Sequence, residues 1–216
     1  LSESALEHIT VQYSHPRWLV KRWIERYGVE GTISICKANN EIPPLTVRAN
    51  TLRISPLSLT EALRNQGLRV VACKYAQIGL KIHGCGTPVE LEAFQTGLLQ
   101  VQDEASMLAT RLLNPGEGMK VLDCCAGLGG KATLTAEMMH DRGSVAALDI
   151  NHRRLSLSRE NSQRLGIHII QQAVMDSSVP LGLSASFDAV IVDAPCSDLG
   201  VLRRHCRLEV TLRRLL

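Results

Sequence analysis

The feature that most constrains this chain is a regular alternation of apolar strands and amphipathic helices that starts at Lys120. Near-continuous apolar segments such as AVIV at 189–192 are typical of a parallel sheet buried on both faces. The second half is therefore predicted to be a doubly wound α/β domain. Its strands are expected over residues 121–124, 144–149, 168–172 and 189–193, and its helices over 131–140 and 152–165.

The first half has a different pattern, which predicts a small α+β unit. A helix is expected from Pro16 to Gly28, because apolar residues repeat there every four positions and glycine can end a helix. A second short helix is expected over residues 33–38. After two prolines the order becomes strand, helix, strand, strand, over residues 45–50, 58–66, 68–73 and 79–83. We expect domains at residues 1–98 and 99–216.

Composition indicates the class of protein and its compartment but does not indicate a function. With 45% hydrophobic and 21% charged residues the chain is globular in type, and a net charge of +3 identifies no partner. No run approaches about 18 apolar residues and the start lacks a signal pattern, so neither membrane insertion nor export is expected. Seven irregularly spaced cysteines without a CxxC pair predict a reducing cytoplasm and no metal site. The oligomeric state stays open.

A glycine-rich segment follows the first strand of the α/β domain. It reads DCCAGLGGK over residues 123–131, where glycine lets the backbone approach a ligand and exposes N–H groups at a helix start. Asp149 ends the next strand, where a carboxylate can accept both ribose hydroxyls of an adenosine. This spacing fits NAD and S-adenosylmethionine alike, but the incomplete GxGxxG pattern disfavours NAD. Asp176, after the third strand, could accept an adenine amino group or simply cap a loop.

The fourth strand ends in the segment Asp193-Ala194-Pro195-Cys196, at the edge where doubly wound domains bind ligands. A thiol beside a nucleotide site suggests covalent attack on a pyrimidine ring. Cytosine C5 becomes nucleophilic only after a thiolate adds to C6, and it can then take a methyl group and lose its proton. The alternative is that Cys196 is a small buried apolar residue.

These motifs resemble the Sun/Fmu (RsmB-type) RNA cytosine-5 methyltransferases of the NOL/NOP/Sun family. The resemblance runs from about His15 to His205 and includes HPRWLVKRW, PPLTVRANTLR, VQDEAS, DCCAGLGGK, ALDINHRRL and DAPCSDLGVLRRH. It implies a Rossmann-like methyltransferase domain that binds S-adenosylmethionine, preceded by a small RNA-recognition-like domain that holds ribosomal RNA. The implied product is C5-methylated cytosine, in small-subunit ribosomal RNA.

The resemblance also implies roles for individual residues. Asp193 would lie near the target cytosine, and Cys196 would release the methylated product rather than make the first attack. Arg154 would support the cofactor. The implied cofactor-binding residues are Cys125, Ala126, Gly127, Leu128, Gly129, Gly130, Lys131, Asp149, Arg154, Asp176 and Asp193.

The sequence departs from the family pattern at two places. Gly127 and Leu128 stand where the family's CAAPGGK loop has alanine and proline. After GVLRRH the sequence reads CRLEVTLRRLL, and it contains no Thr-Cys dipeptide, from which the family's first nucleophile is expected. We therefore expect an out-of-frame or premature ending and a chain that is inactive by itself. A non-catalytic RNA- or cofactor-binding module is the alternative; an NAD-dependent oxidoreductase is disfavoured.

Recognition of RNA by base stacking is not favoured, because only 3% of the residues are aromatic. Contacts to the phosphate backbone are expected instead. The candidate residues in the first half are Arg48, Arg53, Arg64 and Arg69.

Overall fold

Two helices begin the part of the chain that the structure describes. The structure is a computed structural model, and it describes residues 3–180, 182, 186–196, 199 and 202. Helix α1 (Glu3–Gln12) and helix α2 (Arg17–Asn40) share a core that includes Ile9 and Val20. Gly28, with a φ of +71°, interrupts α2 where the sequence predicts a helix end, and the helix then continues. Both helices lie outside the compact unit formed by Pro44–Ala194.

The first sheet of that unit is antiparallel, with the strand order β2-β3-β1-β4. Together with its helices this order is the ferredoxin-like arrangement, so the predicted α+β unit is confirmed. The last strand of this sheet, β4, begins at Leu99, directly after the predicted domain boundary at residue 98. The boundary itself stays a prediction. The elements are β1 (Leu45–Ala49), α3 (Pro56–Asn65), β2 (Arg69–Ala72), β3 (Gly79–His83), a 3₁₀ turn (Pro88–Glu90), α4 (Glu92–Gln95) and β4 (Leu99–Val101).

The two faces of this sheet have different surroundings. One face packs with α3 and α4 in a core that includes Val47, Leu59 and Leu80. The opposite face is buried at Arg48 on β1, but it is exposed at Arg69 on β2. One end of that face is therefore covered by protein and the other is open.

The burial of Arg48 overturns one of the predicted phosphate contacts. Its guanidinium is fully buried and forms a salt bridge with Glu137, which is also fully buried. A further guanidinium nitrogen donates to Gln102 Oε1 at 2.7 Å. Arg48 therefore cannot contact an RNA phosphate, because its guanidinium is buried and bonded to protein groups.

The second sheet is parallel, with the strand order β7-β6-β5-β8, and confirms the predicted doubly wound domain. Asp123 on β5 is level with Ala147 on β6 and with Ile191 on β8. The carboxyl ends of the strands therefore meet at one edge. The elements are α5 (Glu104–Leu113), β5 (Lys120–Asp123), α6 (Gly130–Met138), β6 (Ser144–Asp149), α7 (His152–Leu165), β7 (Ile170–Val174) and β8 (Ala189–Ile191).

Burial on both faces, expected for all four strands, holds only for the two central ones. Val121 and Val145 are buried, whereas Val174 and Val190 are about half exposed. The reason is position, since β7 and β8 are the outer strands of the sheet within the described residues. No helix in the described part of the chain is long and apolar enough to cross a membrane.

Candidate cofactor site

The glycine loop between β5 and α6 has a backbone shape that requires glycine at two positions. Gly127 and Gly129 have φ values of +55° and +81°, in the left-handed region that side chains with a Cβ disfavour. A Cβ on Gly129 would also lie 2.3 Å from Ser158 Oγ on α7. The loop therefore lies directly on α7. Within it, the N–H of Gly129 donates to the carbonyl of Ala126 at 2.8 Å, which closes a tight turn before α6.

Asp149 holds this loop from the end of β6. Its carboxylate is 7% exposed and accepts hydrogen bonds from the N–H groups of Gly127 at 2.9 Å and Asn151 at 2.8 Å. The N–H of Ala126 donates to the carbonyl of Leu148 at 2.8 Å, which adds a backbone link to the same strand. A carboxylate has about four acceptor positions, so Asp149 can still accept hydroxyls from a ligand.

Asp123, at the end of β5, is a site residue that the sequence analysis did not single out. It is 1% exposed, and its Oδ1 accepts the N–H of Cys125 at 3.2 Å. Its Oδ2 is buried and has no hydrogen-bond partner among the described residues. Burial raises the pKa of Asp123 to about 6, with Asp193 and Asp149 adding to the rise. Its position at a strand end directly before the glycines was a signal that could have identified it.

Lys131 and Asp193 connect the start of α6 with the chain just after β8. Lys131 Nζ donates to Asp193 Oδ2, and the pair is an ion pair. The lysine side chain is 17% exposed and the aspartate 59%, so the pair lies at the rim. Two predicted site residues, far apart in sequence, are therefore brought together at the carboxyl edge.

Asp176 and Arg154 also lie near the carboxyl edge, on exposed segments. Asp176 Oδ1 accepts hydrogen bonds from the N–H and hydroxyl of Ser178, which lower its pKa. The adjacent Ser177 donates to the carbonyl of Cys124 at 2.8 Å and fixes this loop to the end of β5. Arg154 is exposed in the first turn of α7, where Asn151 caps its N–H.

Cys196 is exposed and lies outside the unit of residues 44–194. Ser197 and most of GVLRRH lie outside the described residues, as does the tail from residue 203 onward.

A parallel sheet with a glycine loop and an acidic residue at the end of its second strand defines a class of proteins that bind an adenosine-containing cofactor. Two family models match the chain, one in each half. The model described as "16S rRNA methyltransferase RsmB/F" matches residues 110–214, and a model described as an RsmF/B-like ferredoxin-like domain matches residues 15–90. The chain belongs to this RsmB/F methyltransferase family, which uses S-adenosylmethionine.

Individual relatives agree with the family models. "Probable ribosomal RNA small subunit methyltransferase B" of Bacillus subtilis is 36% identical over 211 residues, which are 97% of this chain and 47% of that protein. "Ribosomal RNA small subunit methyltransferase B" of Pseudomonas syringae is 35% identical over 95% of this chain and 46% of that protein. The chain thus spans about half the length of these relatives.

Solved structures show the same fold. A methyltransferase homolog protein from Pyrococcus horikoshii has a TM-score of 0.82 and 30% identity over 94% of this chain and 67% of that one. The RNA-recognition-like domain expected from sequence is thus observed as the ferredoxin-like sheet.

Proposed function

We propose that this chain is the cofactor-binding part of an S-adenosylmethionine-dependent enzyme that methylates C5 of cytosine in small-subunit ribosomal RNA. The observation that carries the proposal is the buried Asp149 carboxylate, which holds Gly127 and keeps acceptor positions for a ligand. The RNA substrate is supported by the names of the relatives, which are ribosomal RNA methyltransferases about twice as long as this chain. A cytoplasmic location follows from that substrate.

The cofactor residues of this proposal lie at the carboxyl edge of the parallel sheet. Asp149 accepts the ribose hydroxyls, because its carboxylate is fixed by two backbone N–H groups and cannot rotate away. Asp176 accepts the adenine amino group, and Arg154 supports the cofactor from α7. The loop contributes Cys125, Ala126, Gly127, Leu128, Gly129, Gly130 and Lys131.

Asp123 adds a binding interaction for the positively charged part of the cofactor. Its Oδ2 is buried without a hydrogen-bond partner among the described residues, an arrangement that is costly unless a donor fills it. The methyl donor carries an ammonium group that can donate to such an oxygen. Of the two cofactors considered from sequence, S-adenosylmethionine therefore suits this carboxylate better than NAD, whose diphosphate is anionic.

Asp193 and Cys196 are the residues proposed to act on the target base. S-adenosylmethionine would supply the activated methyl group for C5 of the cytosine. The thiolate that adds to C6 is expected from a Thr-Cys dipeptide, which this sequence does not contain. Lys131 holds Asp193 at the rim, where a base could enter beside the cofactor. Cys196, an exposed residue, is assigned to release of the methylated base.

The open end of the ferredoxin-like sheet is proposed as the surface that contacts RNA. Arg69 and His83 are directly opposite each other on β2 and β3 and are both exposed, and Val71 is opposite Lys81 on the same face. Lys81 is partly neutralised by Glu104, at 3.3 Å. The sheet therefore offers two cations, Arg69 and Lys81, and no Phe, Tyr or Trp at these four positions, which favours contacts to the phosphate backbone.

Calorimetric titration with S-adenosylmethionine tests the proposal, with NAD as the competing ligand and Asp149→Asn as the variant. We expect saturable binding of the methyl donor, no binding of NAD and at least about a tenfold weaker Kd in the variant, because charge-assisted hydrogen bonds are lost. Asp188→Asn is a matched control, since Asp188 accepts a hydrogen bond from the N–H of Lys120 at the opposite end of β5. A folded chain that binds NAD, or neither ligand, would contradict the proposal.

A further inference from the structure

Two side-chain hydrogen-bond chains run from the ferredoxin-like sheet to the glycine loop. They start on different strands, β1 and β4, and reach the loop through different helices, α6 and α7. They end on consecutive carbonyls, those of Gly129 and Leu128. All the residues belong to the single unit of residues 44–194.

The first chain starts at Arg48 on β1 and passes through Thr133 on α6. Arg48 Nη2 donates to Thr133 Oγ1 at 2.8 Å, and Thr133 Oγ1 donates to the carbonyl of Gly129 at 2.6 Å. Because the arginine can only donate, it leaves the hydroxyl proton of Thr133 directed at the loop. Glu137 and Gln102 fix the remaining guanidinium nitrogens, and Arg48 and Thr133 are both fully buried.

The second chain starts at β4 and passes through Arg164 and Asn161 on α7. Arg164 donates to Gln100 Oε1 and to the carbonyl of Leu99 at 3.0 Å. The same guanidinium donates to Asn161 Oδ1 at 3.2 Å, and Asn161 Nδ2 donates to the carbonyl of Leu128 at 3.2 Å. With its oxygen held by the arginine, the amide can only present its nitrogen to the loop.

The arginine of the second chain is itself rigidly packed. Its guanidinium carbon lies 3.8 Å from the centre of the Phe94 ring, and its Nη1 donates to the carbonyl of Phe94 at 2.6 Å. Next to it, Asn50 of the sheet segment donates at 2.9 Å to both Gly97 and Leu165, the last residue of α7. The sheet and α7 therefore cannot shift relative to each other without breaking the buried bond from Asn50 to Leu165 and several part-buried bonds of Arg164.

We propose that Thr133 and Asn161 are positioning residues through which the ferredoxin-like sheet holds the glycine loop in its cofactor-binding shape. Fixing the carbonyls of Leu128 and Gly129 fixes the two consecutive peptide planes that carry them, and with these planes the course of the loop. On this account the first sheet is part of the cofactor site as well as a surface for RNA. The effect on cofactor affinity rests on the proposed function, whereas the effect on the loop does not.

Thr133→Val and Asn161→Ala test the proposal through two readouts. In the ligand-free chain, we expect amide hydrogen exchange over residues 127–130 to become several-fold faster in both variants. We also expect the Kd for S-adenosylmethionine to rise about fivefold in each, the loss of roughly one hydrogen bond. Thr133→Ser keeps the hydroxyl and should restore both readouts to nearly the wild-type values.

The controls separate positioning from general stability. Asn161 lies on a helix, where alanine is more favourable, and this offsets part of the lost hydrogen bonding, so the variant should keep nearly the urea midpoint of the parent chain. Gln163→Ala, an exposed change on the same helix, should leave exchange and affinity unaltered. Exchange over 127–130 that stays within twofold of wild type in folded Asn161→Ala would overturn the proposal. A wild-type chain that binds no methyl donor would overturn the proposed function, while the exchange result still decides the positioning role.

Discussion

At the residue scale, the fit between Gly129 and Ser158 sets how closely the cofactor loop approaches α7. The loop has no room for a side chain at this point, because a Cβ would lie within 2.3 Å of the serine oxygen. Asp123, a few residues earlier, shows the opposite situation, a buried oxygen with no hydrogen-bond donor among the described residues. Gly129 is therefore required for the packing of the loop on α7, whereas Asp123 keeps a buried acceptor that a donor from a ligand could fill.

We expect Gly129→Ala to lower the free energy of unfolding by about 3 kcal/mol, because it adds steric overlap to backbone strain. Gly118→Ala is the matched control: Gly118 has a φ of +80°, but a Cβ there would meet nothing within 4 Å. That variant should lose only about 1 kcal/mol, from strain alone. Urea denaturation of the two variants measures both values, and equal losses would show that the contact with Ser158 is unimportant.

The raised pKa of Asp123 predicts a pH dependence of stability. The folded chain holds this proton up to a pKa of about 6, whereas the unfolded value is 3.8, so the folded state binds the proton more tightly. The contribution is complete below pH 3.8 and is lost as the pH rises through about 6, a difference of about 3 kcal/mol. Asp123→Asn should remove this slope between pH 4 and 7 in denaturation experiments.

The affinity for the methyl donor should change in the opposite direction with pH. Only ionised Asp123 attracts an ammonium group strongly, so binding should strengthen as the pH rises through about 6. Calorimetry at several pH values checks this, and the pH dependence should be absent in Asp123→Asn. A binding constant that is flat from pH 5 to 7.5 in the wild-type chain would exclude Asp123 from the cofactor site.

At the element scale, the junction between β1 and α6 depends on the buried ion pair of Arg48 and Glu137. Neither side chain is exposed, so each charge depends on the other for compensation. Breaking such a pair by removing one partner is costly because the remaining charge stays buried. The pair thus locks the helix that follows the cofactor loop onto the ferredoxin-like sheet.

Glu137→Gln should lower the free energy of unfolding by about 3 kcal/mol, since it leaves the guanidinium of Arg48 without a counter-charge. Glu117→Gln provides the same chemical change in the exposed pair with Arg142, at 3.0 Å, and should cost less than about 0.5 kcal/mol. Guanidinium chloride would screen these charges, so urea is the suitable denaturant. A loss of under 1 kcal/mol in Glu137→Gln would show that the buried pair does not fasten the two elements.

Sequence reasoning succeeded where the controlling forces are local. The apolar alternation identified β5, α6, β6 and α7 nearly to the residue, because strand and helix periods are encoded in neighbouring positions. It missed α1, whose apolar stripe is short. It also placed Arg48 on the surface, because burial there depends on Glu137, 89 positions away. Positions at strand ends predicted Asp149 and Asp193 as site residues but not Asp123, and the hydrogen bonds through the loop could not be predicted from sequence.

At the scale of the whole molecule, the ferredoxin-like sheet and the parallel sheet form one compact unit, residues 44–194. The same sheet face supplies Arg48 to the interior and Arg69 to the surface. A ligand on the open end would therefore be held at a fixed position relative to the cofactor loop. We expect this fixed geometry to orient RNA without base-specific reading.

Arg69→Ala should weaken binding of a ribosomal RNA hairpin similarly for all sequences and should reduce the salt dependence of binding by about one counterion. Arg159→Ala, another exposed arginine but on α7, is the control and should leave the slope unchanged. Fluorescence anisotropy at several salt concentrations measures the slope. An unchanged slope in Arg69→Ala, or an equal change in both variants, would show that RNA does not bind at β2 and β3.

The central claim is that S-adenosylmethionine binds across the carboxyl ends of β5 and β6, and hydrogen exchange with and without saturating cofactor tests it most directly. We predict slower exchange over residues 125–131 and 149–151, with no change in α1 or α2. Bound cofactor that leaves residues 125–131 exchanging as fast as in the free chain would contradict the account.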